Sequence, residues 1–373
     1  MRTSTTTKAK IRIKTRMFPS TLFFITLLSL SPSLSNAEHK TPLFVFGDSL
    51  YDNGMTFYGG KNVGAHNWPY GQTYFQRAVG RYSDGRVIPD FIAENAGLPF
   101  LEPYFSPRLK DFTNGVNFAS AGSCVLVELR PHTISLARQI DYFKEMVQRL
   151  KQQVGVTEAN KLLSKAVYMF NVAGNDYVNL FEKNAKKNRT ISNSRKKLRM
   201  RMILDNLTVH IKTIYKLGGR KFAFQKVGPL GCLPSIKYML SYKGVCAPEP
   251  QDLAKMHNSA FVALIWKLET QLPGFKYSIY DFYTSLHLRV LYGSTYGFKE
   301  SQTACCGSGP YNGDFTCQKK GFSFSVCSNP NDYLWFDSAH PTDRANQGFS
   351  DEFWSGGPDL VAPYNLQTLY AAN

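Results

Sequence analysis

Three side chains, Ser49, Asp337 and His340, are of the types that nucleophilic acyl chemistry needs. A serine hydroxyl attacks only when a base within hydrogen-bond reach takes its proton, and that base needs a third group to orient it. The stretch "YLWFDSAHPTDRAN" sets Asp337 three residues before His340. At that spacing both side chains project from one turn, so the carboxylate can hold one imidazole nitrogen while the other faces a serine. Such a pair alone also describes many surface ion pairs. Its place after the aromatic, strand-like "YLWF" and before a helix-starting "HPTD" strengthens it. The serine lies in "FVFGDSLYDNG", where an apolar run stops at Gly47, Asp48 and Ser49. A serine just past a strand, where a helix begins, can equally serve as a helix cap. Ester or amide cleavage further needs donors aimed at a developing oxyanion. "NFASAG" ends on Gly122, whose missing side chain lets a backbone N–H approach a substrate, and "VAGNDY" carries Asn175, whose amide can donate. Taken singly, these are a turn glycine and an asparagine turn.

The elements that must carry these residues alternate along the chain. Short β-branched or aromatic runs at 43–48, 115–121, 166–173, 221–227 and 276–282 read as strands. Helical patterns cover 88–95, 135–153, roughly 195–217 and 250–272. Strands separated by helices imply a mainly parallel sheet covered on both faces, an α/β fold. In such sheets catalytic groups collect at the carboxyl ends of the strands. Ser49, Gly122 and Asn175 fall at or just past three successive strand ends.

These four blocks, in this order, resemble the plant GDSL-type esterase/lipases of the SGNH hydrolase superfamily. The resemblance runs along essentially the whole chain after the first 37 residues, through "WPYGQTYF", "GRYSDGRVIPDFIAE", "LGGRKFAF", "GFKYSIYDFYTSL" and "YGFKESQTACCGSGP" to the final "PYNLQTLY". In appearance it is nearest the secreted defence-related branch. The resemblance implies a three-layer flavodoxin-like fold, with Ser49 as nucleophile, His340 as base and Asp337 as its orienter. It also implies an oxyanion hole of the Ser49 and Gly122 N–H groups with the Asn175 side chain. Three residues depart from the family pattern. Met55 stands where asparagine is usual, Ala173 where glycine is usual, and Cys124 where glycine or another small residue is common.

Seven cysteines bear on the compartment. Six of them, Cys232, Cys246, Cys305, Cys306, Cys317 and Cys327, lie in the second half, without the C-x-x-C or paired-histidine spacing of a zinc site. In an oxidising compartment they can form three bridges, in any of 15 connectivities. Cys124 is left over. It either fills space behind the Gly122 loop or exposes a thiol at the lip of the site.

The first 37 residues read as a secretory signal: Arg2 to Arg16 supply six cations and no acid, then come "TLFFITLLSL" and the small-residue end "SNA". A transit peptide shares the basic, hydroxyl-rich start, but the compact apolar core favours secretion. Cleavage is expected after Ala37, leaving 38–373 as one hydrolase domain. No apolar run reaches the roughly 20 residues that span a bilayer. Of the net charge of +17, about +11 remains on residues 38–373. Much of it lies in the basic segment 183–201. That run suits a solvated loop leading into a helix, or contact with a polyanion or membrane surface, and no nucleic-acid fold signature accompanies it. Sequons at Asn188 and Asn206 offer N-glycosylation sites.

The expected function is hydrolysis of small-molecule or lipid carboxylic esters through an acyl-enzyme, with no metal or organic cofactor. Acyl transfer uses the same triad when an alcohol or amine replaces water. A binding or interaction protein could keep the fold with little turnover, but such a relative is expected to have lost one of Ser49, Asp337, His340 or Asn175. None is lost.

Overall fold

The computed structural model describes residues 1, 3–14, 40–60, 64–185 and 190–372. The chain separates into two units, Met1–Glu38 and His39–Asn373. In the first, the described residues form no regular secondary structure. The expected signal core and cleavage site lie outside the described residues.

In the second unit, β1 (Leu43–Gly47), β2 (Gly115–Asn117), β3 (Val167–Asn171), β4 (Lys221–Gln225) and β5 (Lys276–Tyr280) pair in parallel, in the order β2-β1-β3-β4-β5. Two-residue strands β6 (Cys306–Gly307) and β7 (Ser325–Val326) form a separate ladder, and β8 (Val361–Pro363) adds an antiparallel edge beside β5. The alternation of side chains along a strand divides the core in two. Phe44, Phe46, Tyr168, Phe170, Phe222 and Phe224 pack with the helices Leu136–Val154, Asn193–Lys216 and Pro248–Gln271. Leu43, Val45, Val167 and Met169 pack with the helices Ile88–Asn95, Phe282–Leu291 and Asp343–Ser355. β1 and β3 are therefore apolar on both faces, which is why they read as continuous apolar runs. Aromatic rings stack from strand to strand on the first face, Phe46 lying 5.2 Å from Phe118 and 5.0 Å from Phe170.

The α/β fold is as expected, with shorter strands. The second strand stops at Asn117 rather than running to residue 121. There the Asn117 side chain accepts from the Ala119 N–H at 2.8 Å and donates to the Tyr51 carbonyl at 2.8 Å, bending the chain out of the ladder. With this strand order the chain winds outward in both directions from β1, and the crevice between the carboxyl ends of β1 and β3 is the switch point where ligands bind.

Candidate active site

Gly47 ends β1 because the neighbouring strand leaves no room for a side chain: a Cβ there would lie 2.6 Å from the Asn171 carbonyl oxygen. No helix starts at Ser49. A tight turn follows, with the Tyr51 and Asp52 N–H groups donating to the Asp48 carbonyl at 3.1 and 3.0 Å. The next helix, Met55–Tyr58, begins only after the Asp52 carboxylate has accepted from the Gly54 and Met55 N–H groups at 2.8 and 2.7 Å. Ser49 is thus a turn residue, and its hydroxyl caps no helix among the described elements.

His340 Nε2 lies 2.7 Å from Ser49 Oγ, and His340 Nδ1 lies 2.7 and 2.9 Å from the two Asp337 oxygens. "YLWF" forms only isolated bridges. A bridge between Trp335 and Pro341, with the Phe336 N–H donating to the His340 carbonyl at 2.7 Å, closes the segment into a loop. The Cys305 and Cys306 N–H groups donate to the Trp335 and Phe336 carbonyls, so two disulfide-bonded residues anchor this loop. The helix Asp343–Ser355 follows, capped by Thr342. Within the loop, Asp337 Oδ1 also accepts from the Ala339 and His340 N–H groups at 2.9 Å each, and Tyr70 donates its hydroxyl to Asp337 Oδ2 at 2.7 Å. Burial pushes the Asp337 carboxyl up, but the His340 charge and hydrogen bond, the Ala339 N–H and the Tyr70 hydroxyl outweigh it and hold it below its usual value. Burial, then the Asp337 charge, keep the Tyr70 phenol protonated as a donor. The Tyr82 ring lies 4.8 Å from the imidazole and fixes its other face.

The β2 and β3 loops meet beside Ser49. Gly122 has φ +76°, a left-handed conformation natural to glycine, and its N–H, like that of Ser49, makes no hydrogen bond among the described residues. Asn175 donates one amide hydrogen to the Ser123 carbonyl at 3.1 Å, leaving its second for a ligand. Three residues not singled out in the sequence fasten these loops. Asp52 Oδ2 accepts from the Ala121 N–H at 2.8 Å. Asp176, next to Asn175, accepts from the Val125 and Leu126 N–H groups at 3.0 and 2.9 Å. Gln139 brackets Gly47, accepting from its N–H at 3.0 Å and donating to its carbonyl at 2.8 Å, and donates to Ser123 Oγ at 3.0 Å. Burial pushes Asp176 up to about 7 and Asp48 up to about 6, against opposing backbone donors.

A cavity of about 880 Å³ opens over Ser49, Gly122, Asn175 and His340. One wall is apolar, with Val172, Val178, Val227, Leu230 and Phe282, and Arg130, Glu182, Lys319 and Lys320 bring charge to it. Cys124 does not line this cavity. It is buried, its thiol pushed up first by burial and then by the Asp176 charge, so it fills space behind the loop. The other six cysteines pair as 232–246, 305–327 and 306–317. Cys232 and Cys246 approach His287 closely enough for a metal, but their sulfurs are spent on each other. Asn206 lies on the helix Asn193–Lys216 rather than a loop, exposed, donating to the Met202 carbonyl at 2.9 Å. Asn188 lies outside the described residues. In the basic segment Lys196 pairs with Glu249 at 2.7 Å, Arg195 donates to Asn184 and Arg199 to the Asp176 carbonyl. Several of its cations thus help hold the fold. Among the described residues no helix is long and apolar enough to cross a membrane.

Residues 43–353 match the family described as GDSL-like Lipase/Acylhydrolase. GDSL esterase/lipase 4 of Arabidopsis thaliana is 40% identical over 94% of this chain and 97% of its own. A GDSL lipase of Tanacetum cinerariifolium is 38% identical over 94% and 93%. A solved lipase from a goat rumen metagenome aligns with 85% of this chain and 97% of its own at 14% identity, with a TM-score of 0.38. On its sequence match along nearly the full length, the chain belongs to the GDSL-like lipase/acylhydrolase family, among the plant GDSL esterase/lipases, and is a carboxylic ester hydrolase.

Proposed function

We propose that the protein is a secreted serine esterase or lipase that works through an acyl-enzyme on Ser49. His340 Nε2 takes the Ser49 proton as Oγ attacks the ester carbonyl, while Asp337 holds Nδ1–H and stabilises the imidazolium that forms. The Ser49 and Gly122 N–H groups and the second Asn175 amide hydrogen receive the negative charge on the former carbonyl oxygen. Collapse of the tetrahedral species expels the alcohol, which takes the proton from His340. Water, deprotonated by the same nitrogen, then attacks the acyl-enzyme and releases the acid. The observation that carries this reading is the 2.7 Å contact between His340 Nε2 and Ser49 Oγ, with Asp337 at 2.7 Å behind it.

Secretion is supported by the three disulfides and by the leader-like first 37 residues. In this reading the mature chain is the domain 38–373 and Asn188 and Asn206 are glycosylation acceptors. Among the described residues, the exposed Lys183, Lys197 and Arg201 are those of segment 183–201 offered to a polyanion or a membrane surface. The test is turnover of p-nitrophenyl esters of graded acyl length, with Ser49→Ala as control. Turnover lost in the variant supports the acyl-enzyme, and turnover of equal size in both rejects it.

A further inference from the structure

An apolar wall accounts for an acyl chain, but not for an arginine beside the oxyanion loop. A Cβ built on Gly122 would lie 3.6 Å from Arg130 Nη1 and 3.1 Å from the Thr133 methyl, so the guanidinium lies against the residue whose N–H faces the oxyanion. The Arg130 backbone is fixed there, its carbonyl accepting from the Thr133 N–H at 3.0 Å and the Thr133 hydroxyl at 2.8 Å. Arg130 Nη2 donates to Glu182 at 3.2 Å. That contact orients the side chain and leaves Nε and Nη1 without a hydrogen-bond partner among the described residues, each with an N–H free to donate to a carboxylate or phosphate. Its charge reaches the site, since it is among the influences that pull Asp48 down against burial.

The remaining charges of the cavity leave a positive surplus beyond the Arg130–Glu182 pair. Asp337 is spent on His340, and Asp48 accepts from Leu50 and Asn171. Glu182 alone then faces Arg130, Lys319 and Lys320, and both lysines are exposed to solvent. A partly enclosed cavity with a surplus of one sign raises the local concentration of oppositely charged substrates.

We propose that this site selects esters carrying an anionic group a few bonds from the scissile carbonyl, with Arg130 as the residue that recognises it. The proposal rests on the ester-hydrolase reading and names its substrate class. A carboxylate on the acid part and a phosphate on the alcohol part share this chemistry, and two pairs of substrates separate them. For the acid part, p-nitrophenyl hemiglutarate is compared with p-nitrophenyl valerate. For the alcohol part, a monoacylglycerol phosphate is compared with the monoacylglycerol of the same chain.

The readout is the charged-to-neutral ratio of kcat/KM in each pair. Arg130→Gln is expected to lower that ratio about tenfold in the pair that matches the natural substrate. Lys319→Gln with Lys320→Gln is expected to lower it less, by an amount that shrinks as salt is raised, because exposed charges are screened. A ratio unchanged by Arg130→Gln in both pairs overturns the proposal. So does an equal loss on charged and neutral esters, which would make Arg130 a merely structural partner of Glu182. A second measurement does not depend on turnover: the thermal shift given by monomethyl glutarate or glycerol phosphate to Ser49→Ala. A shift lost when Arg130→Gln is added supports the proposal, and no shift with either compound overturns it. Failure of every ester to turn over, with this shift intact, instead rejects the hydrolase reading alone.

Discussion

Asp337 reaches His340 across three residues of one loop, whereas Asn175 meets Ser123 across 52 residues that include two helices and the whole of β3. On the histidine side three of the four donors to Asp337 come from its own turn, and both carboxylate oxygens are spent. Asp337 takes two N–H groups of its own turn, the imidazole and one phenol. On the oxyanion side the fastenings are distant, Asp52 to Ala121, Asp176 to Val125 and Gln139 to Gly47, and the donors that matter are left open. A group that must stay oriented is saturated with partners. A group that must receive charge only during reaction is held by its neighbours and kept unpaired, so that no bond has to break when the oxyanion forms.

The largest effects should come from the saturated side and its nucleophile. Ser49→Ala and His340→Ala should each lower kcat by several orders of magnitude, each about as much as the double variant, because the triad works as one unit. Circular dichroism should show both folded. Additive losses in the double variant would mean that the two side chains act independently.

Asn175→Ala should cost less, about 10²-fold to 10³-fold in kcat, since two backbone donors remain. A loss equal to that of Ser49→Ala would mean that Asn175 holds the loops together through Ser123 rather than receiving charge. Urea unfolding of the variant separates these outcomes.

The two sides also differ in what pH does to them. Asp337 lies below its usual value, so its contribution to stability is present above the unfolded carboxylate pKa and is lost only as pH falls. Asp48 is the reverse. Its folded value of about 6 lies above the usual 3.8, so the folded state prefers it protonated, and stability is lost as pH rises from about 4 through about 6. Asp48→Asn, which keeps an oxygen for the Leu50 and Asn171 donors, should remove this slope. Urea midpoints for wild type and variant should diverge in the variant's favour over that window, by at most about 3 kcal/mol. Parallel curves would show that Asp48 is ionised throughout.

The same contrast explains what the sequence disclosed. Asp337 and His340 were legible because their geometry is a matter of spacing in one turn. Ser49, Gly122 and Asn175 were legible because apolar runs mark strand ends, and family resemblance assigned their roles. Tyr70, Asp52, Asp176 and Gln139 were not, because only tertiary folding decides which distant N–H or carboxylate each one meets. Three of them stood inside quoted blocks, Asp52 in "FVFGDSLYDNG", Tyr70 in "WPYGQTYF" and Asp176 in "VAGNDY". The antiparallel strand Val361–Pro363 escaped for the same reason, being three residues long and containing proline. Helix Gly174–Ala185 was hidden behind the asparagine turn read at its start. Cys124 stood in sequence where either a buried or a lip position was open, and only packing placed it behind the loop.

The smallest effect tests whether the oxyanion side stores strain. Ala173 is buried at φ +79°, two residues before Asn175, where the family usually has glycine. The left-handed conformation costs a non-glycine residue roughly 1–2 kcal/mol. Replacing it by glycine removes that cost, but it also frees the unfolded chain by about 0.5–1 kcal/mol and deletes a buried methyl worth about 0.8 kcal/mol. The terms nearly cancel, so Ala173→Gly should change unfolding free energy by no more than about 0.5 kcal/mol. Ala159, equally buried but inside the helix Val156–Lys165, has no strain to release. There Ala159→Gly should cost about 1.5–2 kcal/mol, from lost helix propensity and the same methyl. If the two variants are destabilised equally, the Ala173 backbone is unstrained in solution, and the oxyanion side is held as softly as any other loop.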